Sequence, residues 1–116
     1  MSKSYYSLGL MSGTSGDGVD ASVIHSDGNT KYEAIKNKYF EYDKQIYENI
    51  HNLKEKIHNL VDLKKFAKEL IHLERQITLF HVEVIKEVDK HQKSDVIGFH
   101  GQTIYHNSQE KISRQL

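Results

Sequence analysis

Glycine is placed unevenly in this chain of 116 residues: five of its seven lie in the first 43 positions, none lies between 44 and 92, and Gly98 and Gly101 complete the set. Proline is absent throughout. These two residue types are the main breakers of helices and makers of tight turns. The chain therefore divides into a turn-rich zone, 1–43, an uninterrupted zone, 44–92, and a tail, 93–116. In the first zone YYSLGLM and VDASVIHS flank the cluster SGTSGDG, which reads as strand–turn–strand. Asp27-Gly28-Asn29 makes a second turn, and KYEAIKNKYFEY a third strand carrying Tyr32, Ile35, Tyr39, Phe40 and Tyr42. The expectation is a three-stranded antiparallel meander.

The second zone is helical. Ile46, Ile50, Leu53 and Ile57 recur at i, i+4, i+7 and i+11, one face of an amphipathic helix. Asn59 is a break or a cap. Leu63, Phe66, Leu70, Leu73, Ile77, Phe80, Val84 and Val88 continue the spacing, as one long helix or as two. A core-facing stripe is the commoner cause of such a pattern, a coiled coil the rarer one. In the tail, Val96-Ile97-Gly98-Phe99 behind a charged lead-in predicts a buried strand that enters the sheet parallel. HGQTIYH follows at its C-terminal end, and then a polar segment that completes no element.

Composition sets limits. The apolar share is 37%, unchanged if the seven Gly are counted in place of the seven Tyr, against about 45–50% in ordinary domains. So small a core is either marginal or completed from elsewhere. Sixteen basic and sixteen acidic residues cancel, which gives no general attraction to nucleic acid or to an anionic membrane. Without Cys there is no disulfide, thiol nucleophile or Cys-ligated metal. No run approaches the roughly 20 apolar residues of a membrane span, and the apolar stretch after Lys3 is too short for a secretory signal. The expected setting is soluble and cytoplasmic.

SGTSGDGVDAS is the most informative stretch. Gly13 and Gly18 have P-loop spacing, yet Val19-Asp20 stands where Lys and Ser/Thr are required. Gly16, Gly18 and Ala21 fit a dinucleotide fingerprint, but the alternation of Val19, Ala21 and Val23 predicts a strand where that fingerprint needs a helix. Two readings remain: an ordinary polar hairpin loop, or a tight turn whose amides, with the Thr14 and Ser15 hydroxyls, gather an anion. In the second, Asp17 and Asp20 supply hard oxygens where Mg²⁺ sits with bound phosphates.

Leu10-Met11-Ser12-Gly13-Thr14-Ser15-Gly16-Asp17-Gly18-Val19-Asp20 resembles the amino-terminal ATP motif of the anhydro-N-acetylmuramic acid kinases, peptidoglycan-recycling enzymes with the actin/hexokinase-like fold. Asp95-Val96-Ile97-Gly98-Phe99-His100-Gly101-Gln102-Thr103-Ile104, with His106, is similar to that family's strand-plus-HGQT segment. Two departures stand out. The family usually carries Leu or Met where this chain has Gly16, so the turn is expected to be floppier, and often Pro where this chain has Asn107.

The resemblance implies an α/β fold: an incomplete ribonuclease H-like, actin-like ATPase lobe, made of an antiparallel β-meander with the phosphate loop (1–43), a helical segment (44–92) and a parallel strand with the HGQT segment (93–116). It implies ATP and Mg²⁺ as cofactors, used to phosphorylate 1,6-anhydro-N-acetylmuramic acid. By the same resemblance Gly13, Thr14, Ser15, Gly16, Asp17, Gly18, Val19 and Asp20 hold ATP, Asp17 and Asp20 stand near the metal, and His100, Gln102 and Thr103 line the sugar side. His100 keeps a second reading as a hydrogen-bonded structural residue. No catalytic residue is expected here, because the family's general-base aspartate belongs to a later Asp-Thr-Gly-Pro-type motif. The chain is thus expected to be a half-site that needs a complementing carboxy-terminal half, with a sheet edge left unpaired. The alternative is a non-catalytic remnant or helical interaction module.

Overall fold

The computed structural model describes residues 4–13, 15–28, 32–91, 93–107 and 112–116. β1 (Tyr5–Met11), β2 (Gly18–Ser26) and β3 (Tyr32–Glu41) form the expected meander, with Leu8 opposite Val23 and Val19 opposite Phe40. Asn29, of the second expected turn, lies outside the described residues. β4 (Val96–Phe99) joins the far side of β1 in parallel, Leu8 facing Ile97, so the sheet order is β3-β2-β1-β4. Its entry is pinned at Asp95, whose carboxylate accepts from Tyr6 N at 2.9 Å while its own amide donates to Tyr6 O at 2.8 Å.

The helical zone is three helices. α1 (Lys44–Lys56) starts at Asp43, whose Oδ1 accepts from Ile46 N at 2.9 Å. Asn59 is the cap of α2 (Leu60–Lys65), accepting from Asp62 N at 3.0 Å. α3 (Ala67–Val88) follows with only Phe66 between them. Such caps satisfy amides that the first turn leaves without partners.

The alternation of β1 and β2 turns Leu8, Leu10, Val19, Ala21 and Val23 to one face, where they meet Ile46, Ile50 and Leu53 of α1 and Leu70, Leu73, Ile77, Val84 and Val88 of α3. Each such Leu or Ile contributes about 1.5–3 kcal/mol by leaving water. The amphipathic stripe is therefore a core face.

Two expectations need correction. β4 is parallel but not buried: Val96, Ile97 and Phe99 stay 54, 45 and 52% exposed, because among the described residues β1 is the one strand paired with it in the sheet. The polar end of the chain does complete an element. β5 (Thr103–Asn107) and β6 (Ile112–Gln115) pair antiparallel as a separate ribbon, closed by Gln102 N donating to Leu116 O at 2.9 Å and Leu116 N to Gln102 O at 2.8 Å. Ile104, Tyr105 and Leu116 carry this ribbon into the core. Strand pairing is made by backbone groups, so a polar sequence can supply it. Among the described residues no helix is long and apolar enough to cross a membrane.

Candidate functional site

Because β1 and β4 are parallel neighbours, their C-terminal ends open at one edge of the sheet. The Gly-rich loop leaves from Met11 and the HGQT segment from Phe99, so the two motifs emerge side by side, where α/β sheets gather their ligands. Gly16 N donates to Gly13 O at 3.2 Å and Tyr42 N to Asp17 O at 2.9 Å, which turns the loop back into β2. Gly16 itself is buried at φ +70°, and a Cβ there would lie 2.9 Å from Ile50 Cγ2 and 3.4 Å from His51 Nε2. α1 fills the space beside Gly16 that a side chain would take.

A buried clasp joins the two motifs. Gln102 is fully buried. Its amide nitrogen donates to Gly13 O at 2.9 Å and Thr103 O at 3.3 Å, and its Oε1 accepts from Tyr42 Oη at 3.1 Å. Tyr42 Oη also lies 3.0 Å from Ser12 Oγ, and Ser12 Oγ lies 3.3 Å from His81 Nε2. On its far side His81 Nδ1 sits 2.8 Å from Ile77 O. Burial pushes the Tyr42 phenol above its usual range, against the Ser12 bond, so it stays a donor. Burial also holds the His81 imidazole below its ordinary value, against the bond to Ile77, so it stays neutral.

The remaining expected residues divide. Gly13, Ser15, Asp17 and Asp20 are exposed, as is His100. Thr14 lies outside the described residues. Gly18 is buried, and the Val19 side chain is in the core, fully removed from solvent. Gln102 departs from the cleft-lining role expected of it, since its side chain is spent on the clasp. His100 N donates to Leu10 O at 3.2 Å and its Nδ1 to Gly101 O at 3.0 Å. Thr103 is half-buried.

Asp20 and His100 share an open cleft of about 650 Å³ on the sheet face away from the helices, with Ser22, Asn37 and Gly98 along it. Asp17 does not line that cleft; its Oδ1 is 4.0 Å from His51 Nε2 on α1. Both carboxylates nonetheless act on Tyr39. Its phenol is pushed up first by burial and then by Asp17, Glu41 and Asp20 in turn. Among the described residues no three His, Cys, Asp or Glu side chains stand close enough to hold a metal by themselves.

Sequence reasoning missed Ser12, Tyr42, His81 and Glu41. A signal existed for His81. It falls four residues after Ile77 and three before Val84, a core position of the helical stripe held by an ionisable side chain.

Residues 5–116 match a protein-family model described as anhydro-N-acetylmuramic acid kinase. Over its whole length the chain is 58% identical to a protein of that name from Pelagibacter ubique (strain HTCC1062), of which it covers 32%. Over 94% of its length it is 32% identical to the one from Agrobacterium fabrum (strain C58 / ATCC 33970), covering 31% of that protein. Over 92% it is 33% identical to the one from Prochlorococcus marinus (strain NATL1A), covering 28%. The chain thus spans about a third of the length of these curated relatives.

Proposed function

Because the chain belongs to the anhydro-N-acetylmuramic acid kinase family, we propose that it is the amino-terminal part of an ATP-dependent kinase that converts 1,6-anhydro-N-acetylmuramic acid to N-acetylmuramic acid 6-phosphate in cell-wall recycling. Its architecture is that of an actin-like ATPase lobe awaiting further strands, divided into the meander with its phosphate loop, the helical segment, and the strand with its HGQT segment. The observation that carries this reading is the convergence of the two motifs at one sheet edge, tied together by the hydrogen bond from Gln102 to Gly13.

The chemistry of the loop supports an anion. Phosphoryl transfer depends chiefly on positioning and on stabilising charge. Gly13 O accepts from both Gln102 and Gly16, so a carbonyl that would repel a phosphate is turned into the protein. The loop from Gly13 to Asp20, Thr14 included, then holds the ATP phosphates through amides and hydroxyls, with Val19 acting through backbone alone. Exposed Asp17 and Asp20 suit a Mg²⁺ shared with phosphate oxygens and water rather than an all-protein cage. His100 and Thr103 face the sugar, and Gln102 holds both segments in register from behind. Such a half-site is inactive alone, lacking the family's later general base, and works with a complementing carboxy-terminal part in the cytoplasm, where ATP is at hand.

Mixing the chain with the remaining two-thirds of the Pelagibacter relative, made separately, tests this. ATP-dependent phosphorylation of the anhydro sugar is expected in the mixture only. Turnover by the chain alone, or none from a mixture that demonstrably associates, overturns the reading. A second reading, a helical interaction module, draws on Ile71, Leu79 and Val82, which are exposed along α3. It requires association that Mg–ATP leaves unchanged.

A further inference from the structure

We propose that His81 is a positioning residue for the phosphate loop, acting as a hydrogen-bond acceptor that holds Ser12 from the α3 side while Gln102 holds the adjacent Gly13. This rests on the nucleotide reading above. It assigns a role to a residue that lies on no loop and in no motif.

Ile77 O cannot donate, so the hydrogen between it and His81 Nδ1 belongs to the ring. In the neutral imidazole Nε2 is then a bare acceptor, and Ser12 Oγ is the donor that the structure offers it. Gln102 turns its NH₂ to the Gly13 and Thr103 carbonyls, so its Oε1 faces Tyr42, and Tyr42 must donate its single proton there. Ser12 therefore has one proton and two acceptors, Tyr42 Oη at 3.0 Å and His81 Nε2 at 3.3 Å. Three contacts are served by two hydroxyl protons. Tyr42 Oη already takes part in a bond, whereas Nε2 would be left buried with none, which is the costlier vacancy. The Ser12 proton is drawn toward His81.

Packing alone does not call for an imidazole here. His81 is 2% exposed and meets the Phe99 ring edge-on at 4.6 Å. A Phe in that place would suit the aromatic neighbour and would leave Ser12→Tyr42→Gln102→Gly13 with as many protons as contacts. The imidazole imposes a desolvation cost that a Phe avoids, and what it adds is an acceptor aimed at the first residue of the loop. Ser12 and Gly13 are consecutive, so one end of the loop is held from α3 by His81 and the next carbonyl is held from the HGQT segment by Gln102.

The test separates acceptor from packing. His81→Phe keeps a ring and removes the acceptor; His81→Gln keeps an acceptor near Nε2 and removes the ring. NMR spectra of the ¹⁵N-labelled chain and both variants, with and without Mg–ATP, read the outcome. The wild-type ring is expected neutral with its proton on Nδ1. In His81→Phe the Gln102 side-chain NH₂ and the Gly13 and Gly16 amides shift, and the Mg–ATP dissociation constant rises about tenfold, a change well within that of a lost buried hydrogen bond. His81→Gln stays near wild type in both. A ring protonated on Nε2, or loop signals and affinity that Phe preserves and Gln disturbs, overturns the proposal. Should wild type bind no nucleotide while Phe, but not Gln, moves the loop amides, the positioning role is upheld and the nucleotide reading is decided by turnover of the mixture with the carboxy-terminal part. The tautomer is read on wild type, so a proton on Nε2 overturns the proposal even if a variant does not fold.

Discussion

Gly16→Ala isolates what the loop owes to its packing against α1. A non-glycine residue at φ +70° pays about 1–2 kcal/mol for left-handed backbone. The new methyl would stand 2.9 Å from Cγ2 of Ile50, a fully buried β-branched side chain with little room to yield. Overpacking of that kind adds about 1–3 kcal/mol, giving a total of about 2–5 kcal/mol, a large part of the roughly 5–15 kcal/mol that holds a domain together. Gly28→Ala is the control: its φ is +74°, yet nothing lies within 4 Å of the added Cβ, so it carries the backbone cost alone. Urea unfolding of wild type and both variants measures the two. With a slope of about 1–3 kcal/mol per molar, Gly28→Ala lowers the midpoint modestly and Gly16→Ala clearly further. Equal losses would remove the steric argument, and no loss at Gly16 would refute the left-handed turn as well.

Three further outcomes are expected. Tyr42→Phe strands Gln102 Oε1 without its donor and costs about 1–3 kcal/mol, read as a lowered thermal midpoint; an unchanged midpoint means the clasp contributes no stability. Asp17→Asn and Asp20→Asn each bring the Tyr39 phenol closer to its ordinary value, since both carboxylates raise it, and each weakens Mg²⁺-dependent nucleotide binding; NMR titration of the Tyr39 ring follows the first effect and Mg²⁺–ATP titration the second. The folded pKa of His81 lies below its ordinary 6.5, so the unfolded chain binds the extra proton first, and stability present above that value drains away as pH falls below it. His81→Phe flattens this slope, and urea midpoints that keep the same pH dependence in both proteins contradict it.

The meander was legible because Val19, Ala21 and Val23 alternate with Asp20 and Ser22, and the turns carry Gly and Asp. The helical stripe was legible for the same reason at a different period, and Asn59 announced its own cap. What stayed hidden was set by partners far along the chain. Whether Val96, Ile97 and Phe99 are buried depends on what flanks β4, and a parallel strand at the margin of a sheet reads like one at its centre. The β5–β6 ribbon is held by backbone pairing that its polar side chains do not advertise. In the site, the two motifs were visible by their residues. The clasp was not, because Ser12, Tyr42, His81 and Gln102 come from four separate segments, and Gln102 looks from sequence like a residue that reaches outward.

The sheet has two unlike margins. β3 carries Glu33, Lys36, Lys38 and Glu41, all exposed, and its lysines stand opposite buried Ala21 and Val23, charges that a further strand would have to cover. A register shift at Val23/Ile24 bends that margin further. β4 offers Val-Ile-Gly-Phe with no charge at all. A sheet armed on one side and bare on the other can be extended in one direction only. Any further strand of the kinase proposed above would therefore join beyond β4, and the growth of the sheet has a direction written into its side chains.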